Sequence, residues 1–417
     1  PPTVIFEALK SLLIFDKHDP SVTNFPVYLG ALDELLEPFM DDVDEATAKK
    51  LIRLFLIHVD RTVLDSFSHA NIGPKATRAG RLILEAEAEL EQAVPNLTLK
   101  YQEGVTPDDF ALEAVNTALH SAKPSFANHA MFKSELGENY VIASCYNGLL
   151  LGGGSYTLCR LMLGTIARKS KNLADFKERM LPHVMDVMAK YMDARIKFEV
   201  EESGFFENHF LAKEGFIHRD RFTAMFGLVG LAECVNTLLE KEGIPGRYGH
   251  DKNADDLGVE IMEQIRAFNE SHVNPYCEAT GGHFLLHGQV GIAQDHGVTP
   301  GTRIPIGEEP DELIDELLHC SRFHKYFPSG MGDIIPIDVT VHQNPAYVLD
   351  IVKGSFRKDL RYLSFFSSDS DVIRVTGYLV KKSEMAKLDA GQNVLQDTTQ
   401  LGLGASKNGK ILERRVR

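Results

Sequence analysis

The chain has 417 residues, 25% of them charged and 44% hydrophobic. That balance can bury a sizeable core in one large domain or in roughly two to three ordinary ones. The net charge of −15 argues against a non-specific nucleic-acid binder, and no run reaches the eighteen or so apolar residues of a membrane span.

In chain order, Pro1 to Phe15 has no basic n-region and no small-residue cleavage site, so no signal peptide is expected. Pro1-Pro2 without an initiator Met points to a trimmed or missing amino-terminal segment. Leu32 to Met40, Glu45 to Ser66 and Lys75 to Leu90 carry apolar residues at helical spacing. Thr106-Pro107-Asp108-Asp109 opens another helix, with Thr106 as N-cap and Pro107 at its first position. Asn139 to Ser144 reads as a buried strand that runs straight into Cys145. After Gly152-Gly153-Gly154, the spacing predicts helices over Ser155 to Ala167, Leu173 to Phe198, Phe222 to Glu242 and Asp255 to Ser271. His272 to Pro310 is dense in Gly, His and Pro, which suggests loops and short strands over a site.

Glu312 to Cys320 reads as a short helix, and Ile334 to Val341, Leu363 to Phe366 and Val372 to Val375 as strands. The tail, Gln400 to Arg417, is polar and glycine-rich. No repeat or linker interrupts the chain. A mostly helical part, 1–120, and the remainder, 121–417, are therefore expected to form one continuous domain. Helices alternating with single buried strands imply an α/β fold. Pattern alone leaves a barrel and an open sheet equally open.

The five cysteines, Cys145, Cys159, Cys234, Cys277 and Cys320, are scattered and odd in number, which suits free thiols in a reducing cytoplasm. Cys159, Cys234 and Cys320 sit in apolar helical patterns and read as core. Cys277 and Glu278 could serve a substrate, as a second thiol and an acid in a glycine-rich segment. With His283, His287 and His296 they could also be read as a metal cluster, but Gly281, Gly282 and Gly288 argue against the helix that spacing needs, and no metal is expected. Arg303 could pair a substrate carboxylate or phosphate, with a structural ion pair the even alternative. Gly152-Gly153-Gly154 lacks the Lys-Ser/Thr of a phosphate loop. His342-Gln343-Asn344 before Pro345 reads as a turn with a helix N-cap.

Arg374-Val375-Thr376-Gly377-Tyr378 is the most specific segment. A hydrogen atom lost from a glycine Cα leaves an unpaired electron between a carbonyl and an amide nitrogen, and both delocalise it. The centre must be flat, and glycine has no side chain to crowd it. The bland alternative is a short strand ending in a glycine turn. A backbone radical is a store, and a cysteine thiol can carry it to substrate, because the S–H bond is close in strength to this Cα–H bond. Cys145, between the strand and Asn147-Gly148, is placed for that. Otherwise it would be a buried thiol acting as a small hydrophobe.

The pentapeptide resembles the radical loop of the glycyl radical enzymes, Arg-Val-x-Gly-Tyr near the carboxyl terminus. Lys123 to Asn128 is similar to the family's Pro-x-x-x-Asn run before the cysteine loop, and Gly152 to Leu163 to the stretch after it. Phe226 to Glu233 resembles the Gly-Leu-x-Glu helix of anaerobic ribonucleotide reductases. Thr299 to Arg303 resembles a substrate-side loop, and Asn408 to Arg417 is loosely similar to their basic ends. The departures are equally definite. Ser364 to Ser370 holds no zinc-binding Cys-x-x-Cys pairs. Cys145 is flanked by Ser144 and Tyr146, where pyruvate formate-lyase has adjacent cysteines. Asn147 stands where the eliminating enzymes place a glutamate.

The chain is identified as a member of the YjjI-like family within these enzymes. That resemblance implies a ten-stranded glycyl radical barrel, two five-stranded half-sheets surrounded by helices. It implies Gly377 and Cys145 as catalytic residues and a small polar substrate, for which Cys277, Glu278, Arg303 and Asn147 are the candidate contacts. No tightly bound cofactor is expected; the radical on Gly377 would come from a partner activating enzyme that uses S-adenosylmethionine. Ribonucleotide reductase-like or pyruvate formate-lyase-like activity and a catalytically silent, ligand-binding barrel are the alternatives. A cytoplasmic location is expected, without nucleic-acid or membrane partners, and a homodimer stays open.

Overall fold

The computed structural model describes residues 1–23, 28–63, 67–288 and 297–417. Its strands are β1 (Tyr28–Ala31), β2 (His69–Ile72), β3 (Asn96–Tyr101), β4 (Ser125–Asn128), β5 (Tyr140–Ala143), β6 (Asn147–Leu150), β7 (Gly154–Met162), β8 (Phe222–Val229), β9 (Leu285–Gly288), β10 (Asp333–Ile337), β11 (Tyr362–Ser367), β12 (Val372–Arg374) and β13 (Leu379–Lys381). Six of them form one sheet in the order β1-β2-β3-β4-β11-β10. Strands β1 to β4 are parallel, β11 is antiparallel to β4, and β10 is parallel to β11. A second, parallel sheet joins β7, β8 and β9. Two antiparallel hairpins remain, β5–β6 and β12–β13. The fold is mixed α/β.

Strand β3, Asn-Leu-Thr-Leu-Lys-Tyr, shows why one sheet face carries a site. Successive side chains point to opposite faces. Leu97, Leu99 and Tyr101 enter a core shared with the helices Glu45–Thr62, Arg78–Leu90, Asp108–Ser121 and Ala346–Phe356. Full burial of one leucine stabilises by about 1.5–3 kcal/mol, so the apolar row decides which face meets the helices. Asn96, Thr98 and Lys100 are thereby turned to the other face, and all three reach the β5–β6 hairpin or its hydrogen-bond partners. Neighbouring β2 repeats the division, with Ala70 and Ile72 in the core and His69 and Asn71 opposite. A one-residue slip in either strand would exchange the faces.

Several expectations are corrected. Ser155 to Ala167 is not helical throughout: β7 occupies Gly154–Met162, and the helix covers only Leu163–Lys169. Phe222 to Glu242 divides into β8 and the helix Leu231–Glu242. All eight residues of β8 are buried, since it is the middle strand of its sheet. A short apolar run of that kind has the same periodicity signature in a strand and in a buried helix. Gly230, at φ +76°, makes the break between them. Thr106 does not cap the following helix; its hydroxyl accepts from the Gln102 amide at 3.0 Å, and Pro107 takes the cap position. The strand read over Ile334 to Val341 ends at Ile337 and gives way to a 3-10 turn, Val339–Gln343. Strands β2, β3 and β4 were not anticipated, nor was the helix Thr398–Asn408 in the tail. The helix expected over Glu45 to Ser66 covers Glu45–Thr62, and residues 64–66 lie outside the described residues.

Candidate active site

Strands β5 and β6 pair so that Ala143 faces Asn147, leaving Ser144-Cys145-Tyr146 as the tip. Ser144 takes a left-handed conformation, φ 61°, which turns the chain sharply enough to present Cys145. The tip is held from several sides. His69 Nδ1 donates to Ser144 O at 2.9 Å, and the Tyr362 hydroxyl donates to Cys145 O at 3.0 Å. The Tyr146 hydroxyl donates to Gly288 O at 2.8 Å, which links the hairpin to the second sheet. The segment Ser329–Gly332 packs against the tip, with Ser329 O accepting from Gly148 N at 2.7 Å. Gly330 is irreplaceable there: its φ is +126°, and a β-carbon would come within 2.0 Å of Tyr146 O.

The second tip, Val375-Thr376-Gly377-Tyr378, closes the β12–β13 hairpin, where Arg374 pairs with Leu379. A β-carbon placed on Gly377 would lie 2.8 Å from Cys145 Sγ and 1.7 Å from its Cβ. The two tips are therefore in direct contact. Asn96 Nδ2 donates to both Gly377 O, at 3.0 Å, and Ser144 O, at 3.1 Å. Arg374 is 1% exposed. Its guanidinium spreads its donors over Asn96 Oδ1 at 2.9 Å, Ala122 O at 3.1 Å and Gly377 O at 3.4 Å. Arg414 holds the loop from the other side, donating to Arg374 O at 2.9 Å and Val375 O at 2.6 Å.

The Cys145 thiol is 4% exposed and donates to Asn147 Oδ1 at 3.2 Å. Burial raises its pKa; the Tyr146 backbone N–H and the Arg374 charge offset this only in part. The sulfur thus keeps its hydrogen, which suits hydrogen-atom transfer better than thiolate chemistry. Burial also holds His69 down to about 3, so its imidazole is neutral. With Nδ1–H given to Ser144 O, His69 Nε2 is left to accept from the Thr98 hydroxyl at 2.7 Å.

Of the expected substrate residues, Asn147 joins the pair. Arg303 lies near it, 6.0 Å from the Tyr146 ring, but its Nε donates to Gly332 O at 2.7 Å and stands 3.6 Å from Asp333 Oδ1. The structure does not bring Cys277 and Glu278 to the pair. Cys277 is buried in the second core cluster beside Thr223 and Ala224, at the start of β8, and burial pushes its thiol up to about 12. Gly288, which touches Tyr146, pairs near the other end of β8 with Leu228, about 15 Å along the strand. Glu278 is exposed beside Arg219 at 3.7 Å.

His283 Nδ1 is bound to His272 O at 3.0 Å and His287 Nδ1 to Ser329 Oγ at 3.2 Å; His296 lies outside the described residues. Cys320, His324 and Asp333 also cluster closely enough for a metal. However, His324 Nδ1 accepts from Arg361 N at 2.9 Å, so Nε2 carries the proton and donates it to Asp333 at 2.7 Å. No ring lone pair is left for an ion.

Thr299 to Arg303 and the Gly-Leu-x-Glu segment do meet, through Thr299 N and Glu233 Oε1 at 3.0 Å. Both line a cleft of about 880 Å³ that also reaches Thr376 and Arg414. Sequence reasoning missed Asn96, His69, Thr98, Tyr362 and Arg414. The alternation in β3 was the available signal, because it puts Asn96 and Thr98 on a polar face between two apolar positions.

The family profile described as "Glycyl radical enzyme YjjI-like" matches residues 1–417. An uncharacterized protein of Haemophilus influenzae is 46% identical over 420 residues, spanning 100% of this chain and 81% of the relative. The uncharacterized protein YjjI of Escherichia coli is 42% identical over 412 residues, spanning 99% of this chain and 79% of the relative. Among solved structures, a glycyl radical enzyme from Archaeoglobus fulgidus superposes with a TM-score of 0.76 at 13% identity, over 99% of this chain and 68% of that one. An anaerobic ribonucleotide reductase superposes with a TM-score of 0.74 at 13% identity, over 95% of this chain and 75% of that one. At such identity the structural likeness establishes the fold.

Proposed function

The chain belongs to the YjjI-like family of glycyl radical enzymes, and on that premise we propose that Gly377 stores a radical and Cys145 delivers it to a small polar substrate. The contact between Gly377 and Cys145 carries the reading. A partner activating enzyme, using S-adenosylmethionine and an electron, removes the Gly377 α-hydrogen. The Gly377 radical then takes the hydrogen atom from the Cys145 sulfur, which restores the Cα–H bond and leaves a thiyl radical. The thiyl takes a hydrogen atom from a substrate C–H bond, which restores the S–H bond and leaves a substrate radical.

Asn147 accepts the thiol hydrogen in the resting state and is placed to meet substrate when the sulfur turns. Arg303, buried beside Tyr146, fits a supporting role better than direct substrate contact. Among the described residues the two sheets have six and three strands rather than the expected five each; their closing into a barrel around both tips is supported by the β5–β6 hairpin. It touches the six-stranded sheet through Asn71 and the three-stranded sheet through Tyr146. One continuous domain is supported by a core cluster that mixes residues 5–126 with residues 317–411. Free thiols and a buried radical site fit a reducing cytoplasm, and no described helix is long and apolar enough to cross a membrane.

The test is anaerobic electron paramagnetic resonance after incubation with a cognate activating enzyme, S-adenosylmethionine and reductant. A doublet from one α-hydrogen, absent in Gly377→Ala, is expected. No signal, with an activating enzyme shown to be active, would leave a silent ligand-binding barrel as the better account.

A further inference from the structure

Asn96 stands where the two tips meet, and four hydrogen bonds fix which way its amide faces. Its Oδ1 accepts from the Leu97 backbone N–H at 2.9 Å and from Arg374 Nη2 at 2.9 Å. Two donors on that side identify it as the oxygen. The Nδ2 group is left to direct its two hydrogens at Ser144 O and Gly377 O, at 3.1 and 3.0 Å. One side chain therefore ties the carbonyl preceding Cys145 to the carbonyl of Gly377. Asn96 is fully buried on β3, between β2 and β4, so it has little freedom to move.

We propose that Asn96 is a positioning residue for hydrogen transfer between Gly377 and Cys145, and that its hydrogen bond sets how far the unpaired electron spreads onto the Gly377 carbonyl. The inference rests on Gly377 and Cys145 forming the radical pair. A radical at Cα is conjugated with its own carbonyl. A donor on that oxygen favours the form with negative charge on oxygen, and so stabilises the radical on Gly377 relative to the thiyl. The effect is large in a buried, weakly polarisable site. Without Asn96, the carbonyl keeps, among the described residues, the longer Arg374 contact at 3.4 Å, and the two tips lose their shared tie. The hydrogen atom moves only between the Cys145 sulfur and the Gly377 Cα; the amide keeps its own hydrogens throughout.

The experiment uses the full chain, activated anaerobically, with spectra recorded in H₂O and after transfer to D₂O. The thiol hydrogen exchanges with solvent, so transfer to Gly377 delivers deuterium; when the thiyl takes back the protium, the radical carbon keeps deuterium and the doublet collapses. The collapse rate reads the Cys145–Gly377 step. Asn96→Ala is expected to keep a signal with an altered line shape and to slow the collapse by about tenfold, the effect of one lost buried hydrogen bond. Asn269→Ala removes the buried bond of 2.7 Å from Asn269 to Phe284 O, made from the helix Lys252–Ser271, and is expected to behave as wild type.

Should Asn96→Ala fail to fold, Asn96→Ser, too short to bridge both carbonyls, gives the same reading. Wild-type protein carrying ¹⁵N-asparagine is also expected to show a nitrogen coupling to the radical. A wild-type doublet whose line shape and collapse rate are unchanged in the folded Asn96 variants would overturn the positioning role. So would absence of the ¹⁵N coupling. Absence of any wild-type doublet would instead overturn the radical pair itself, and this inference with it.

Discussion

Cys145 and Gly377 lie so close that a β-carbon on Gly377 would sit 1.7 Å from the Cys145 Cβ, inside any permitted contact. Gly377 is thus required for space, and the proposed radical would require it a second time for planarity. The two requirements separate experimentally. Gly377→Ala is expected to lower stability by about 1–3 kcal/mol through overpacking. The double variant Gly377→Ala/Cys145→Gly is expected to regain part of that loss, because the obstructing Cβ is gone. Denaturant unfolding of the four proteins in the cycle measures the coupling, and strict additivity would mean that the tips are not in contact.

Oxygen exposure of the activated protein is expected to cut the backbone at Gly377 and release a fragment beginning near Tyr378. Cys145→Ala should be cut equally well, because the stored radical rests on the glycine. Mass spectrometry of air-exposed samples decides. An intact chain after a verified doublet would contradict the location of the radical.

The neutral His69 makes stability fall in mild acid. Its folded pKa, about 3, is below its ordinary value because of burial. Between about pH 6.5 and pH 3 the unfolded chain therefore binds a proton that the folded chain refuses, and stability drops by roughly 1.4 kcal/mol per unit. The contribution is fully present above pH 6.5 and is about 2 kcal/mol smaller at pH 5. His129 and His287, both held down to about 4 by burial, act with the same sign. Comparing His69→Gln with wild type at pH 7 and pH 5 isolates the single group, and the variant should lose about 2 kcal/mol less on acidification.

Arg414 bonds two carbonyls of the glycine loop from a segment about forty residues downstream. Arg414→Ala is expected to raise amide hydrogen exchange over Val372–Lys381 by about tenfold while leaving β2 and β3 protected. Equal loss of protection across the six-stranded sheet would indicate global destabilisation and remove the local role.

The proposed chemistry at the centre could be read from the chain because it depends on residue type. Only glycine among the residues can flatten at Cα without a side chain in the way, and the flanking Arg374, Val375 and Tyr378 made that glycine specific. Cys145 was legible because an apolar run of strand length ends against it. Cys277 and Glu278 misled, since a glycine-rich segment is polar in sequence whether it borders a site or merely turns; Cys277 in fact belongs to the second core.

Period and composition, which act over a few neighbouring residues, thus determined the α/β class, most of the helices and the residue types at the two tips. They could not separate β8 from a helix, because burial on both faces erases the alternation that marks a strand. Nor could they find Asn96, which reaches Gly377 across 281 positions of chain. Which polar side chain meets which carbonyl is settled by strand order and register, and those are set by the apolar rows of β2, β3, β4 and β11 packing together. Only the tertiary structure decided that Asn96 would bridge the two tips.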